Sequence, residues 1–166
     1  MASKNIPAIY WDSAVFLAYI NDETQRADTV LKLFDLAVAE KFRIITSTES
    51  IVEVSIAGYE KQGELLDPEI EKTLDEFWNN PAVTMIEPTV EIMLHARMLI
   101  RESIPHGWIL KPKDAIHLAT ALWVDRYIFP VSEFHTYDRK LKKYNAMIGI
   151  HIHPPIIKQP RLPKID

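Results

Sequence analysis

Apolar positions along this chain follow two rhythms. Short runs rich in β-branched and aromatic residues recur as "IPAIYW" (6–11), "FRIITS" (42–47), "AVTMIEP" (82–88), "YIFPVS" (127–132) and "IGIHIH" (148–153), and each predicts a strand. Pro130 weakens the fourth of these, because proline cannot donate to a sheet ladder. Between them apolar residues return every three or four positions. That spacing predicts helices over 13–21, 24–41, 49–61, 68–80, 89–103 and 111–125, with a short one over 138–144. In 24–41, for example, Val30, Leu33, Phe34, Ala37 and Val38 share one side. Strands separated by helices of this length imply crossover units and a parallel sheet covered on both faces. The fold class is therefore α/β, a three-layer α/β/α sandwich with a mostly parallel central sheet. We expect a single domain over 1–153. The segment "PPIIKQPRLPKID" (154–166) holds four prolines in thirteen residues and is expected to be an extended tail.

One helix poses a chemical question. In "KPKDAIHLATALW" (111–123), Pro112 suits a first helical position, and Ala115, Leu118, Ala119 and Leu122 make one apolar face. Asp114 stands directly beside that face, where an unpaired carboxylate is costly. Three other acids take comparable places. Asp12 follows the first strand directly, Glu53 lies early in the helix after the second, and Asp138 stands just beyond the fourth. Ligands of open parallel sheets bind outside the carboxyl ends of the strands. Four carboxylates meeting there would repel one another unless cations compensate, and an all-oxygen donor set suits Mg²⁺ or Mn²⁺. Two such ions about 3.5–4 Å apart can activate a water and steady the leaving oxygen of a phosphodiester. Each acid also has a local role open to it. Asp12 and Asp138 can cap helices, and Asp114 can accept first-turn N–H groups. "SIVE" (50–53) and "TSTE" (46–49) both fit a capping box, and one helix can use only one, which leaves Glu49 and Glu53 as competitors.

Bulk properties narrow the field. The chain has 166 residues, 48% of them apolar, enough for a sizeable core. It contains no cysteine, which excludes disulfides and thiolate metal sites and points to the cytoplasm. No apolar run approaches the roughly 20 residues needed to span a bilayer, and the N-terminus lacks a signal-peptide pattern. A net charge of −4 gives no global attraction for nucleic acid, so such binding falls to local clusters. Arg139, Lys140, Lys142 and Lys143 form one, with Lys111 and Lys113 elsewhere. The loop "SIPHGWILKPK" (103–113) would bring the last two to the cleft mouth. Four glycines and no glycine-rich loop argue against a phosphate-cradling transferase. His117 sits one turn past Asp114, either as a buried structural histidine or as a group that tunes the site. In "HIH", His151 and His153 share one strand face, a pair for which the sequence shows no third ligand.

"IYWDSAVFLAYI", "TSTESIVEV", "KDAIHLATA" and "FHTYDRKL" resemble, in order, the four blocks of the PIN-domain nucleases, the family that includes VapC-type toxins of bacterial toxin–antitoxin pairs. The resemblance spans residues 9 to about 141, and its third block is the most specific. It implies a metal-dependent endoribonuclease whose metal-binding and catalytic acids are Asp12, Glu53, Asp114 and Asp138. Ser13 and Thr136 would orient them, while Lys111, Lys113, Arg139 and Lys140 would hold the RNA backbone. It further implies products with a 5′-phosphate and a 3′-hydroxyl, an antitoxin partner covering the cleft, and a homodimer using exposed faces of 24–41 or 68–80. Many relatives carry a further acid just after the last aspartate, where this chain has Arg139, Lys140 and Leu141. That departure motivates an alternative: a PIN-like nucleic-acid or protein binding module with little or no catalysis.

Overall fold

A computed structural model describes residues 6–158 except 64 and 66, and within the third helix it describes no side chains over 56–62. Five strands, β1 (Ala8–Trp11), β2 (Arg43–Ser47), β3 (Val83–Ile86), β4 (Val131–His135) and β5 (His151–His153), form one sheet in the order β3-β2-β1-β4-β5. Every neighbouring pair is parallel. The helices are α1 (Ser13–Ile20), α2 (Arg26–Val38), α3 (Glu49–Gln62), α4 (Pro68–Asn79), α5 (Val90–Ser103), α6 (Pro112–Tyr127) and α7 (Asn145–Ile148). Short 3₁₀ turns cover Ile104–His106 and Arg139–Tyr144. Among the described residues no helix is long and apolar enough to cross a membrane.

Strand alternation divides the core in two. Ala8, Tyr10, Ile45, Phe134 and Ile152 face α5 and α6, where they meet Ile92, Leu99, Leu118 and Ala119. Ile9, Trp11 and Ile44 face the opposite way, onto Val15, Phe16, Val30, Leu33 and Phe77 of α1, α2 and α4. The two faces give the three layers that the alternating rhythms predict. Local chemistry sets the helix ends. Asp67 accepts the Glu69 N–H at 2.8 Å ahead of Pro68, and Thr89 accepts the Ile92 N–H at 3.3 Å. Pro112 does open α6.

The fourth strand departs from expectation. Residues 127–130 do not belong to it; α6 runs to Tyr127, Pro130 stands outside the ladder, and the strand begins at Val131. Asp125 near the end of α6 accepts the Val131 N–H at 2.8 Å and joins the two elements. The register with β1 then slips. Ala8 pairs with Val131 but Ile9 pairs with Glu133, so Ser132 is an extra residue, a bulge whose hydroxyl donates to the Ala8 carbonyl at 2.9 Å. Val131 and Phe134 consequently share the α6 face although they are three apart, and Glu133 and His135 turn to the α2 face.

Chain order places the crevice. From β1 the chain moves outward through β2 to β3, then crosses back to β4 and on to β5. The direction reverses between β1 and β4, and ligands of such sheets sit outside the carboxyl ends of the strands at that point.

Candidate active site

Asp12 emerges from β1 at the switch point. Its backbone N–H donates to the His135 carbonyl of β4 at 3.3 Å, and its Oδ1 accepts the Ala14 N–H at 3.1 Å as the N-cap of α1. The side chain is buried and, among the described residues, belongs to no ion pair. Burial, followed by the like charge of Asp114, pushes its carboxyl up to about 7, against the pull of His117 and Thr136.

Glu53 reaches the same space from the second turn of α3, where the Ser13 hydroxyl donates to its Oε2. Its Oε1 is buried and makes no hydrogen bond. Burial pushes this carboxyl up, but the His117 imidazole, the Ser13 hydroxyl and the Lys113 ammonium outweigh it and hold the group below its ordinary range. Neither capping box forms. Thr46 and Ser50 pair with each other through their hydroxyls at 2.8 Å, and the Glu49 N–H donates to Ser47 Oγ at 3.2 Å instead.

Asp114 occupies the first turn of α6, half-buried. Burial and the like charge of Asp138 push its carboxyl up, while His117 and Lys111 pull it down and Glu53 adds a smaller repulsion. Asp138 caps the 3₁₀ turn at Arg139–Tyr144 through Oδ1, which accepts the Lys140 N–H at 2.9 Å. The Asp138 N–H in turn donates to Thr136 Oγ1 at 3.0 Å. Capping and clustering are therefore compatible: Asp12 and Asp138 cap local structure and also face the acids of other segments.

His117 is more than packing. It is almost wholly buried, the Tyr10 hydroxyl lies 2.8 Å from its Nδ1, and its Nε2 stands 3.6 Å from Glu53 Oε2, too long for a hydrogen bond. Lys111, Lys113, Arg139 and Lys140 are all exposed at the rim, with Lys111 near Asp114 and Lys113 near Glu53. Lys142 and Arg139 line a cavity of about 250 Å³ with Thr136 and Asp138.

The four acids thus arrive from four separate segments at one crevice, linked by mutual repulsion through Asp114. Their donor set suits a hard divalent cation: carboxylate oxygens, one of them buried without a partner. They are spread more widely than a closed cage. Among the described residues, the one set of three His, Asp or Glu donors within 4.8 Å of one another lies elsewhere, at Glu133, His135 and His153. The "HIH" pair therefore has partners that the sequence did not show, contributed by β4.

A family model for the PIN domain matches residues 9–146. The chain belongs to the PIN-domain family. The match takes in all four acids. No curated protein matches the sequence. Solved structures of similar fold include VapBC2 from Rickettsia felis bound to a DNA fragment from their promoter, at 16% identity and a TM-score of 0.64 over 88% of this chain and 98% of that one. VapC20 from Mycobacterium tuberculosis, a sarcin–ricin-loop-cleaving toxin, aligns at 18% identity and a TM-score of 0.58, covering 79% of this chain and 90% of its own. FitAcB from Neisseria gonorrhoeae aligns at 15% and 0.58, over 89% and 97%. These likenesses, at such low identity, establish the PIN fold and its five-stranded parallel sheet.

Proposed function

We propose that this PIN domain is a metal-dependent endoribonuclease and the toxin of a toxin–antitoxin pair, with Asp12, Glu53, Asp114 and Asp138 as its metal-binding and catalytic acids. One observation carries the reading: the carboxyl of Asp12, buried at the switch point and repelled by a second acid, Asp114, is pushed up to about 7 despite the pull of His117 and Thr136. A fold gains nothing from that arrangement unless a cation completes it. Bound Mg²⁺ or Mn²⁺ would supply an activated water and charge stabilisation at phosphorus. The chain's own groups have separable tasks. Ser13 holds Glu53 Oε2, and Thr136 fixes the Asp138 turn. Tyr10 orients His117 beside Glu53. Lys111, Lys113, Arg139 and Lys140 would engage the backbone phosphates on either side of the scissile bond, which positions RNA without selecting its sequence.

Support for RNA as substrate comes from VapC20, a toxin that cleaves the sarcin–ricin loop, and support for an antitoxin partner from the VapBC and FitAcB structures. The test is cleavage of end-labelled single-stranded and hairpin RNA with Mn²⁺, Mg²⁺ or EDTA, beside Asp12→Asn and Asp114→Asn. Cutting that requires metal and disappears in both folded variants is the expected result. Equal cutting by all three proteins, or none by the wild type, removes the nuclease reading in favour of the binding module.

A further inference from the structure

The bulge at Ser132 has a chemical consequence on the α2 face of the sheet. By turning Glu133 and His135 to the α2 face, it sets them beside His153 of the edge strand β5, which pairs with His135 in the parallel register. Glu133 Oε2 lies 2.9 Å from His135 Nε2 and 3.2 Å from His153 Nε2. One donor atom from each of the three residues falls within 4.8 Å of the others. We propose that Glu133, His135 and His153 bind a zinc-class divalent ion, with donors distinct from the four cleft acids and in a reading independent of the nuclease one.

Donor chemistry selects the ion. Two imidazole nitrogens and one carboxylate oxygen are the borderline donors zinc takes, whereas magnesium and manganese prefer the oxygen-only set of the cleft. The two Glu133 contacts also come near zinc spacing. Tetrahedral zinc with ligands at about 2.0–2.2 Å separates neighbouring donors by about 3.3–3.6 Å, so the two contacts need to open by only a few tenths of an ångström.

Hydrogen bonding shows which atoms a metal would take. His153 Nδ1 lies 2.8 Å from the Pro154 carbonyl, which can only accept, so Nδ1 carries a proton. In the neutral imidazole Nε2 is then a bare lone pair, and it faces a carboxylate oxygen at 3.2 Å. A second proton there makes His153 an imidazolium paired with Glu133, and a metal ion in its place would be held by the same two atoms. A backbone carbonyl that fixes the tautomer of a ligating histidine is the usual outer support of a zinc site. The buried His135 has no partner on Nδ1, and its Nε2–H donates to the same Glu133 oxygen at 2.9 Å, a proton that a bound metal would displace.

Two neighbours complete the picture. The exposed Lys158 ammonium sits on the other oxygen of Glu133, where it partly neutralises the carboxylate, and a bound dication would drive it off. His151 is exposed on the same face with its ring centre 4.7 Å from that of His153, close enough to offer a fourth donor. Bound metal would tie β5 to β4, whose His135 carbonyl receives the Asp12 N–H of the acid crevice.

The experiment is zinc titration of the full chain, stripped with chelator and then held in excess Mg²⁺ so that the cleft is occupied. Wild type is expected to take up one equivalent, and Co²⁺ in its place to give the visible absorption of a low-coordinate, nitrogen-ligated ion. Glu133→Gln and His153→Gln should each weaken binding by at least about tenfold while the circular dichroism spectrum stays native. Lys158→Ala should bind as tightly as wild type or more so, which a purely hydrogen-bonded Glu133–Lys158 network would not produce. Equal zinc binding by wild type and both ligand variants, or no uptake by a folded wild type, overturns the site.

Discussion

Replacing Asp12 by asparagine isolates the cost of the cleft. Asparagine caps a helix as well as aspartate does, so the bond from the Ala14 N–H survives and the charge alone is removed. Burial and the neighbouring Asp114 move the Asp12 carboxyl from 3.8 to about 7. Because the folded-state value is raised, the folded protein holds a proton that the unfolded chain releases, and stability falls as pH rises from about 4 through 7. The shift is about three units, and at about 1.4 kcal/mol per unit it costs up to about 4 kcal/mol above pH 7. In a chain of this size that corresponds to a melting temperature lower by up to roughly 8–16 °C. Thermal unfolding followed by circular dichroism in EDTA should therefore show Asp12→Asn melting well above wild type at pH 8. The gap should shrink to about 0.5 kcal/mol by pH 4, where the unfolded chain is half protonated as well. Adding Mn²⁺ should raise the wild-type midpoint and leave the variant nearly unmoved. A wild type as stable as the variant at pH 8 in EDTA, or a gap that does not depend on pH, would refute the argument that Asp12 is a strained carboxylate awaiting a cation.

Other consequences follow from the same geometry. Proton and metal compete at Asp12, so Mn²⁺ affinity measured by calorimetry should fall as pH drops below 7, approaching tenfold per unit. Glu53→Gln should cut metal-dependent cleavage by at least about tenfold, whereas Glu49→Gln, outside the crevice contacts, should leave it within about twofold. In the Asp114→Asn background, removing both Lys111 and Lys113 should lower the slope of log K against log salt for single-stranded RNA by up to about 1.4, read by filter binding. Tyr10→Phe deletes the buried bond to His117 Nδ1 and should cost about 1 kcal/mol in chemical denaturation.

How much of this was legible in the sequence depends on whether a feature is local. Most strand and helix rhythms, the proline start of α6, the position of Asp12, Glu53 and Asp138 after strands, and that of Asp114 in a helix's first turn are properties of short windows, and apart from the fourth strand the structure places them as the pattern predicts. Partnership is not local. Thr46 and Glu49 look like a capping box, yet the Thr46 hydroxyl at the end of β2 pairs with the buried Ser50 hydroxyl in the first turn of α3. His117 looks like core, and only the approach of α3 to α6 shows its Nε2 opposite Glu53. The family motifs name the acids but say nothing of how the charges are shared among them. That comes from burial: Asp12 is sealed and rises, whereas Glu53 has a hydroxyl, an imidazole and an ammonium and falls.

The fourth strand shows how one missed backbone feature conceals chemistry. A strand read over 127–132 stops before Glu133 and His135, so the histidines of β5 are left without company. Even with the strand in its true place, simple alternation from Val131 would send Glu133 and His135 inward against α6, beside the aromatic stack of Tyr10 and Phe134. Only the extra residue at Ser132 exchanges the faces. It puts Phe134 on Tyr10, their rings 4.8 Å apart, and His135 beside His153. A bulge of this kind costs a ladder bond and survives where it re-aims a side chain to some purpose. Here it serves both faces at once: the core gains an aromatic pair behind the acid cleft, and the edge of the sheet gains a carboxylate between two imidazoles. Deleting Ser132 would give regular pairing while Ile9 keeps Glu133 and Trp11 keeps His135, so in a chain that still folds the three donors should stay on the α2 face and zinc uptake should survive.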